Sequence, residues 1–253
     1  MKITSSYFFL LIFLYPFILS GQDLRIADYN TISWNAFTIN HKVSEHWSTH
    51  GEFQWRRSEF LAEPQQNLYR FGVNYKVNDL VVFRIGAAYA DTYPYGKVPL
   101  QAAAKLFPEY RTFQMLQISN PIDQFIISHR FMLEQRWLGQ YMDPMKSKAD
   151  SFIFLNRIRY MARLEYPLEK LSTATVVPYF AAYDEIMIGF GKNIGQNIFD
   201  QNRFGFLAGI DLQRNLRIEA GYLSQTLLFS RLVDGKQILQ YNRGLIVNTN
   251  FKL

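Results

Sequence analysis

The stretch Tyr69-Arg70-Phe71-Gly72-Val73-Asn74-Tyr75-Lys76-Val77 decides the fold. Its odd positions are aromatic or aliphatic, and its even positions are polar or glycine. Successive side chains of a β-strand point to opposite faces, so this period of two describes a strand with one greasy face and one polar face. A second copy of the pattern runs from Trp47 to Trp55. Trp47, Thr49, Phe53 and Trp55 fall on one side, and Ser48, His50, Glu52, Gln54 and Arg56 fall on the other.

Similar alternation recurs near residues 31–41, 80–91, 110–119, 124–138, 152–166, 175–189, 203–213, 215–225 and 239–253. These segments are longer than the roughly 5 to 6 residues usual in soluble sheets, and they suit the about 9 to 11 residues of a strand that crosses a bilayer. Short connections at Lys42–Glu45, Asn78–Asp79, Ser119–Asp123, Pro167–Ser172 and Arg214–Asn215 alternate with longer ones. The longer ones lie at Ser58–Gln66, Thr92–Pro108, Gly139–Asp150, Gly191–Asn202 and Thr226–Ile238. Tight turns at one rim and long loops at the other are the asymmetry of outer-membrane barrels. The expected fold is therefore all-β, a single transmembrane antiparallel up-and-down β-barrel of about twelve strands, with ten possible. Eleven segments are visible, and an even count requires a twelfth strand or a threaded segment near Asp23–Asn30.

Aromatic residues make up 17% of the chain, with 22 Phe and 16 Tyr, which is high for a globular domain. Trp34, Trp47, Trp55, Trp137, Tyr69, Tyr75, Tyr89, Tyr160, Tyr166 and Tyr222 lie near ends of expected strands, where interfacial girdles belong. The final strand places Leu245, Val247, Thr249, Phe251 and Leu253 on one face. That pattern resembles the C-terminal signal read by the barrel-assembly machinery, with Phe251 rather than the last residue as the aromatic. A soluble periplasmic β-sandwich would also alternate, with its apolar face turned inward instead of outward. Strand length and the terminal strand favour the barrel.

The N-terminus reads as an export signal: Lys2 is followed by an uncharged run from Ile3 to Leu19 and then by Ser20 and Gly21. Cleavage after Gly21 would leave residues 22–253 as the barrel, in the outer membrane of a Gram-negative cell with lipid as its surroundings. A single transmembrane anchor is the competing reading of the run. The chain has no cysteine, which excludes disulfides, thiol chemistry and an N-terminal lipid anchor on cysteine. Its net charge of +6 is spread along the sequence rather than gathered in one arm, which argues against nucleic acid as a partner.

Charge gathers instead on particular strand faces. Ser128, Arg130, Glu134 and Arg136 share one face of their segment, and Arg157, Arg159, Arg163 and Glu165 share one face of the next. A lipid-facing charge near the bilayer midplane costs about 2 to 4 kcal/mol, so these rows must face the lumen. The candidate lumen cluster is therefore Arg130, Glu134, Arg136, Arg157, Arg159, Arg163 and Glu165, with Glu52, Glu185 or Glu219 as the candidate acids to reach across. One reading is a lumen or pocket for a small anionic ligand, since guanidinium binds phosphate and carboxylate bidentately. The other is a salt-bridge network that plugs a narrow barrel.

At this block the chain resembles the uncharacterised outer-membrane barrels grouped as domain of unknown function 2490. The matching residues are His129-Arg130-Phe131 and Leu133-Glu134-Gln135-Arg136, with Glu109, Arg111 and Gln114 before them and Phe199-Asp200-Gln201-Asn202-Arg203 after. The resemblance implies an outer-membrane barrel and brings no substrate or catalytic residue.

Other chemistry has little support. Ser48, His50 and Glu52 share a face, as a lipid acyl hydrolase or transferase would need, yet strand neighbours two apart are spaced by about 7 Å. Ser128 and His129 point to opposite faces. His46 and His50 are too far apart on an extended strand for joint metal coordination, and no phosphate-binding glycine loop precedes a helix. No catalytic residue, cofactor or metal is expected. The segment 98–107, with Ala102, Ala103 and Ala104, suggests a short helix in an outer loop.

Overall fold

The computed structural model describes residues 25–143, 145–194, 198–212 and 215–253. The export signal expected over residues 1–21 lies outside them. Among the described residues the chain forms eleven strands closed into one barrel. They are β1 (Arg25–Lys42), β2 (Trp47–Ser58), β3 (Glu63–Lys76), β4 (Val81–Thr92), β5 (Phe107–Ile122), β6 (Phe125–Gln140), β7 (Ser151–Pro167), β8 (Val176–Phe190), β9 (Phe199–Leu212), β10 (Leu216–Val233) and β11 (Lys236–Lys252). Each strand pairs antiparallel with its sequence neighbour, so the expected all-β up-and-down barrel is present.

The count settles at eleven through the closing seam. β1 runs parallel to β11 from Arg25↔Gln237 to Asn40↔Lys252, and an odd number of strands can close only with one such pair. The residues in question near Asp23–Asn30 are, from Arg25 onward, the first part of β1. No glycine or proline interrupts Arg25–Lys42, so nothing in this stretch turns the chain. Arg25 therefore stands at the rim that carries the long connection Tyr93–Leu106. Leu253 stands at the opposite rim, where its backbone N–H donates to the Asn40 carbonyl. Gly244 lets the seam close: a Cβ there would sit 1.7 Å from the Ile32 carbonyl oxygen.

Two of the expected long loops shrink to tight turns, Glu59–Ala62 and Asp234–Gly235, because β3, β10 and β11 extend beyond their clearest alternation. Asp234 and Gly235 both adopt positive φ, as a two-residue hairpin turn requires. The segment expected as a short helix is loop over residues 98–106, and Phe107 opens β5. Ala104 has φ of +47°, and Val98 and Leu100 instead pack on Leu227, Phe229 and Ile238 at the mouth.

The polarity of the walls is the reverse of a soluble fold. Phe71, Ile85, Tyr110, Phe206 and Leu245 point outward and are exposed, whereas Arg70, Arg111, Glu134, Arg157 and Glu185 point inward and are buried. Register also sorts the outward aromatics into two rows. One runs Phe37↔Phe53↔Tyr69↔Tyr89↔Tyr110↔Trp137↔Phe154 across seven strands. The other runs Trp47↔Tyr75↔Phe83↔Leu116↔Phe131↔Tyr160, six residues from the first along each shared strand. Trp34 departs from the expected girdle. It shares its parity with Asp28 and Asn30, and it is buried in the lumen.

The interior is filled as well as charged. The rings of Tyr179 and Tyr183 lie over Gly209 and Gly205 of the facing strand, occupying the space a Cβ would need. Ile32, Trp34, Leu207, Leu223 and Ile246 join Tyr179 in one apolar cluster inside the barrel. Phe113, Met115 and Met132 form another.

Candidate functional site: the arginine-lined lumen

Alternation places most of the lumen side chains, since every second residue of each strand faces inward, and Asp200 joins them through the register shift between β8 and β9 that leaves it without a partner on β8. β5 contributes Glu109 and Arg111, β6 contributes Arg130, Glu134 and Arg136, and β7 contributes Arg157 and Arg159. These meet Glu185 from β8 and Asp200 from β9.

Glu109 is gripped in two fork-like pairs, by Arg111 (Nε–Oε1 2.7 Å, Nη2–Oε2 2.8 Å) and by Arg136 (Nε–Oε1 2.5 Å, Nη2–Oε2 3.2 Å). Glu134 accepts from Arg157 Nε at 2.7 Å and from Arg159 Nη1 at 3.0 Å. Glu185 accepts from Arg159 Nη2 at 2.7 Å and from Arg130 Nη2 at 2.8 Å. Asp200 accepts from Arg157 Nη1 at 2.6 Å. A carboxylate with several guanidinium donors keeps its charge in a dry interior, and each guanidinium is in turn neutralised.

Of the candidate cluster, Arg130, Glu134, Arg136, Arg157 and Arg159 thus share one network. Arg163 and Glu165 belong to a second group nearer the short-turn rim. There Glu219 accepts from Arg163 Nη2 at 2.6 Å, from the Tyr179 hydroxyl at 2.9 Å and from Asn248 Nδ2 at 2.9 Å. Glu165 pairs with Arg163 at 3.2 Å and with Arg217. Of the acids expected to reach the cluster, Glu185 pairs with Arg130 and Arg159, and Glu219 pairs with Arg163. Glu52 instead pairs with Arg70 on the opposite wall.

His50 lies beside Glu52, with Nε2 3.4 Å from Oε2, because the side chains lean along the strand rather than standing straight out. Arg84 donates to the same His50 nitrogen at 3.0 Å, and Asn40 meets the other at 2.9 Å. The Ser48 hydroxyl accepts from Asn74 Nδ2 at 2.9 Å. No hydrogen bond joins Ser48 to His50 among the described residues. Nor does any group of three or more His, Asp or Glu among them have the geometry to hold a metal ion.

Between the central network and the long-connection rim lies a cavity of about 390 Å³. Its charged lining is Arg56, Arg111, Arg136, Arg157, Arg203 and Arg231 against Glu109 and Asp200, and its apolar lining includes Phe107, Leu138, Ile153, Leu227 and Phe229. The connection Tyr93–Leu106 folds over one side. Tyr95 donates its hydroxyl to Gln240 Oε1 at 2.6 Å, and Arg231 donates to the Leu100 carbonyl at 3.1 Å and to the Pro99 carbonyl at 2.5 Å. Burial pushes the Tyr95 hydroxyl above its usual range, so it stays a donor at neutral pH.

The model of the family described as a protein of unknown function, DUF2490, matches residues 31–231. The chain belongs to this family. No curated protein and no solved structure gives a significant match. Within the stretch matched by the DUF2490 model, the motif residues divide by face. Glu109, Arg111, Arg130, Glu134, Arg136, Asp200 and Arg203 enter the lumen and take part in the central network, Arg203 only at its edge, through Glu185 at 3.6 Å. Gln114 and Gln135 point outward and hydrogen-bond to each other at 3.2 Å, and His129 lies outside beside the Tyr160 hydroxyl at 2.8 Å.

Several lumen residues were not in the candidate cluster read from the sequence, among them Glu109, Arg111 and Asp200 of the central network. Arg56 and Trp34 sit on neighbouring strands, and the parity of Trp34 with Asp28 and Asn30 was the available signal. Arg203 joins them from β9, and no local pattern places it against Trp34.

Proposed function

We propose that this DUF2490 chain is an outer-membrane β-barrel, closed at mid-height by ion pairs, whose outer half is a binding chamber for a small anionic or polar ligand. The observation that carries this reading is the inverted polarity of the wall. Phe71 and Ile85 face outward at 62% and 65% exposure, while Glu134 and Arg157 face inward at 1% and 2%. In water such a surface would leave large apolar side chains solvated around the whole barrel. In a bilayer the same surface is matched to its solvent, and a closed barrel leaves no unpaired strand edge in the hydrocarbon. The two aromatic rows support the same placement.

With the short turns on the periplasmic side, the cavity opens outward. The export signal expected over residues 1–21 would deliver the chain. The outward residues Leu245, Val247, Thr249 and Phe251 would then present the closing strand to the assembly machinery. A binding role is favoured over lipid hydrolysis or acyl transfer by Ser48, whose hydroxyl is held by Asn74 rather than by His50.

The alternative to a binding chamber above a plug is a conducting pore, and planar-bilayer recording separates them. The protein reconstituted at low voltage is expected to give no sustained conductance, because the ion-paired side chains around Glu109, Glu134 and Glu185 project from β5 to β9 into the lumen and fill it at mid-height. Steady open-pore steps in every insertion would contradict the plug.

A further inference from the structure

Most guanidinium groups around the cavity are already committed. Arg111 and Arg136 both hold Glu109, Arg157 holds Glu134 and Asp200, and Arg231 holds loop carbonyls. Two are not. Arg56 is 7% exposed, and its hydrogen-bond partners are the neutral amides of Gln54 and Gln66 (Nη1–Oε1 of Gln66 2.8 Å). Among the described residues no carboxylate lies within 4.0 Å of it. Arg203 is 9% exposed and donates Nε to Gln201 Oε1 at 3.2 Å. Its nearest carboxylate oxygen, on Glu185, is 3.6 Å away, and that acid already serves Arg130 and Arg159.

The indole of Trp34 lies between the pair. The Arg56 guanidinium carbon is 3.9 Å from the ring centroid and that of Arg203 is 4.8 Å. Trp34 is itself pinned by its Nε1–H to Gln65 Oε1 at 2.6 Å. Stacking on an aromatic face orients a guanidinium and leaves its edge donors free. Two buried cations held this way, with N–H groups to spare bordering the same cavity and only a share of Glu185 between them, call for a further counter-charge. An unpaired buried charge is otherwise among the costliest arrangements a protein can hold.

We propose that Arg56 and Arg203, clamped on Trp34, bind the head of a small amphipathic oxyanion whose apolar body lies along Leu138, Ile153, Leu227 and Phe229. The proposal deepens the binding-chamber reading and rests on it. The head is a carboxylate or phosphate, which the spare N–H donors suit. The volume of about 390 Å³ falls in the range of small-molecule pockets, and the polar floor with an apolar wall asks for a ligand of matching polarity.

The test titrates the full chain, folded in detergent at low ionic strength, with phenyl phosphate, benzoate, inorganic phosphate and phenol by calorimetry. Phenyl phosphate or benzoate is expected to bind at least about tenfold more tightly than inorganic phosphate, with no binding of phenol. The better of those two identifies the head group. Arg56→Gln and Arg203→Gln should each weaken that binding at least about tenfold, and Arg56→Lys should weaken it less. Arg84→Gln, in the lumen but away from this cavity, should leave it unchanged. Each variant is first checked for folding by its migration before and after boiling. As a second readout, ligand-free Arg56→Gln should unfold at a temperature no lower than the parent, because it relieves like-charge repulsion. A lower unfolding temperature with unchanged binding would make Arg56 structural and overturn the proposal. Equal binding of inorganic and phenyl phosphate, lost in Arg203→Gln, would overturn the amphipathic ligand but keep an anion chamber. No binding of any anion, with all variants like the parent, would overturn the chamber reading itself.

Discussion

Replacing Glu134 by Gln should destabilise the barrel by about 3 to 5 kcal/mol, the cost of breaking a buried ion pair by removing one partner. Glu134 is 1% exposed and accepts from both Arg157 and Arg159, whose own exposures are 2% and 5%. The substitution keeps the shape and removes the charge. Arg157 would retain Asp200 and Arg159 would retain Glu185, so the loss is large but not complete. Urea unfolding in lipid vesicles, followed by tryptophan fluorescence, reads the effect. A change under about 0.5 kcal/mol, the scale of a surface substitution, would mean that water already fills the central lumen and screens the network.

Ile85→Arg is the second large effect, and its sign depends on the solvent outside the barrel. Ile85 faces outward on β4 between the two aromatic rows and is 65% exposed. In the hydrocarbon of a bilayer an arginine there costs about 2 to 4 kcal/mol. On a barrel surrounded by water the same change is worth within about 0.5 kcal/mol. The same vesicle unfolding experiment measures it. Loss of assembly or a clearly lowered midpoint is the expected outcome, and an unchanged midpoint would place Ile85 in water.

The strands were legible because alternation is local. Tyr69–Val77 declares a two-faced strand without knowledge of any neighbour. Which face is inside was not fixed by that pattern, since a soluble sandwich alternates in the same way. The structure decides it through Phe71, exposed, and Arg70, buried. The eleven segments were legible too, but the closing seam that makes an odd count possible was not, because it depends on β1 meeting β11 in parallel across a sequence separation of 212 residues, as between Asn30 and Asn242.

The site followed the same division. Arg130, Glu134, Arg136, Arg157 and Arg159 lie on adjacent strands, so their shared face implied a shared network. Arg163 and Glu165 continue the face of β7 but lie farther along it, where Arg163 meets Glu219 and Glu165 meets Arg217, both from β10. Arg203 reaches Trp34 across a curved wall, and that contact depends on closure of the whole barrel. Trp34 was assigned to an interface by residue type, although its parity with Asp28 and Asn30 gave the better clue.

The membrane-barrel account is tested most directly by fractionating cells that express the chain and comparing its migration unboiled and boiled on a denaturing gel. The account predicts recovery in the outer-membrane fraction and a folded form that shifts in mobility only after boiling. Recovery in the soluble periplasm, with identical migration before and after boiling, would contradict it.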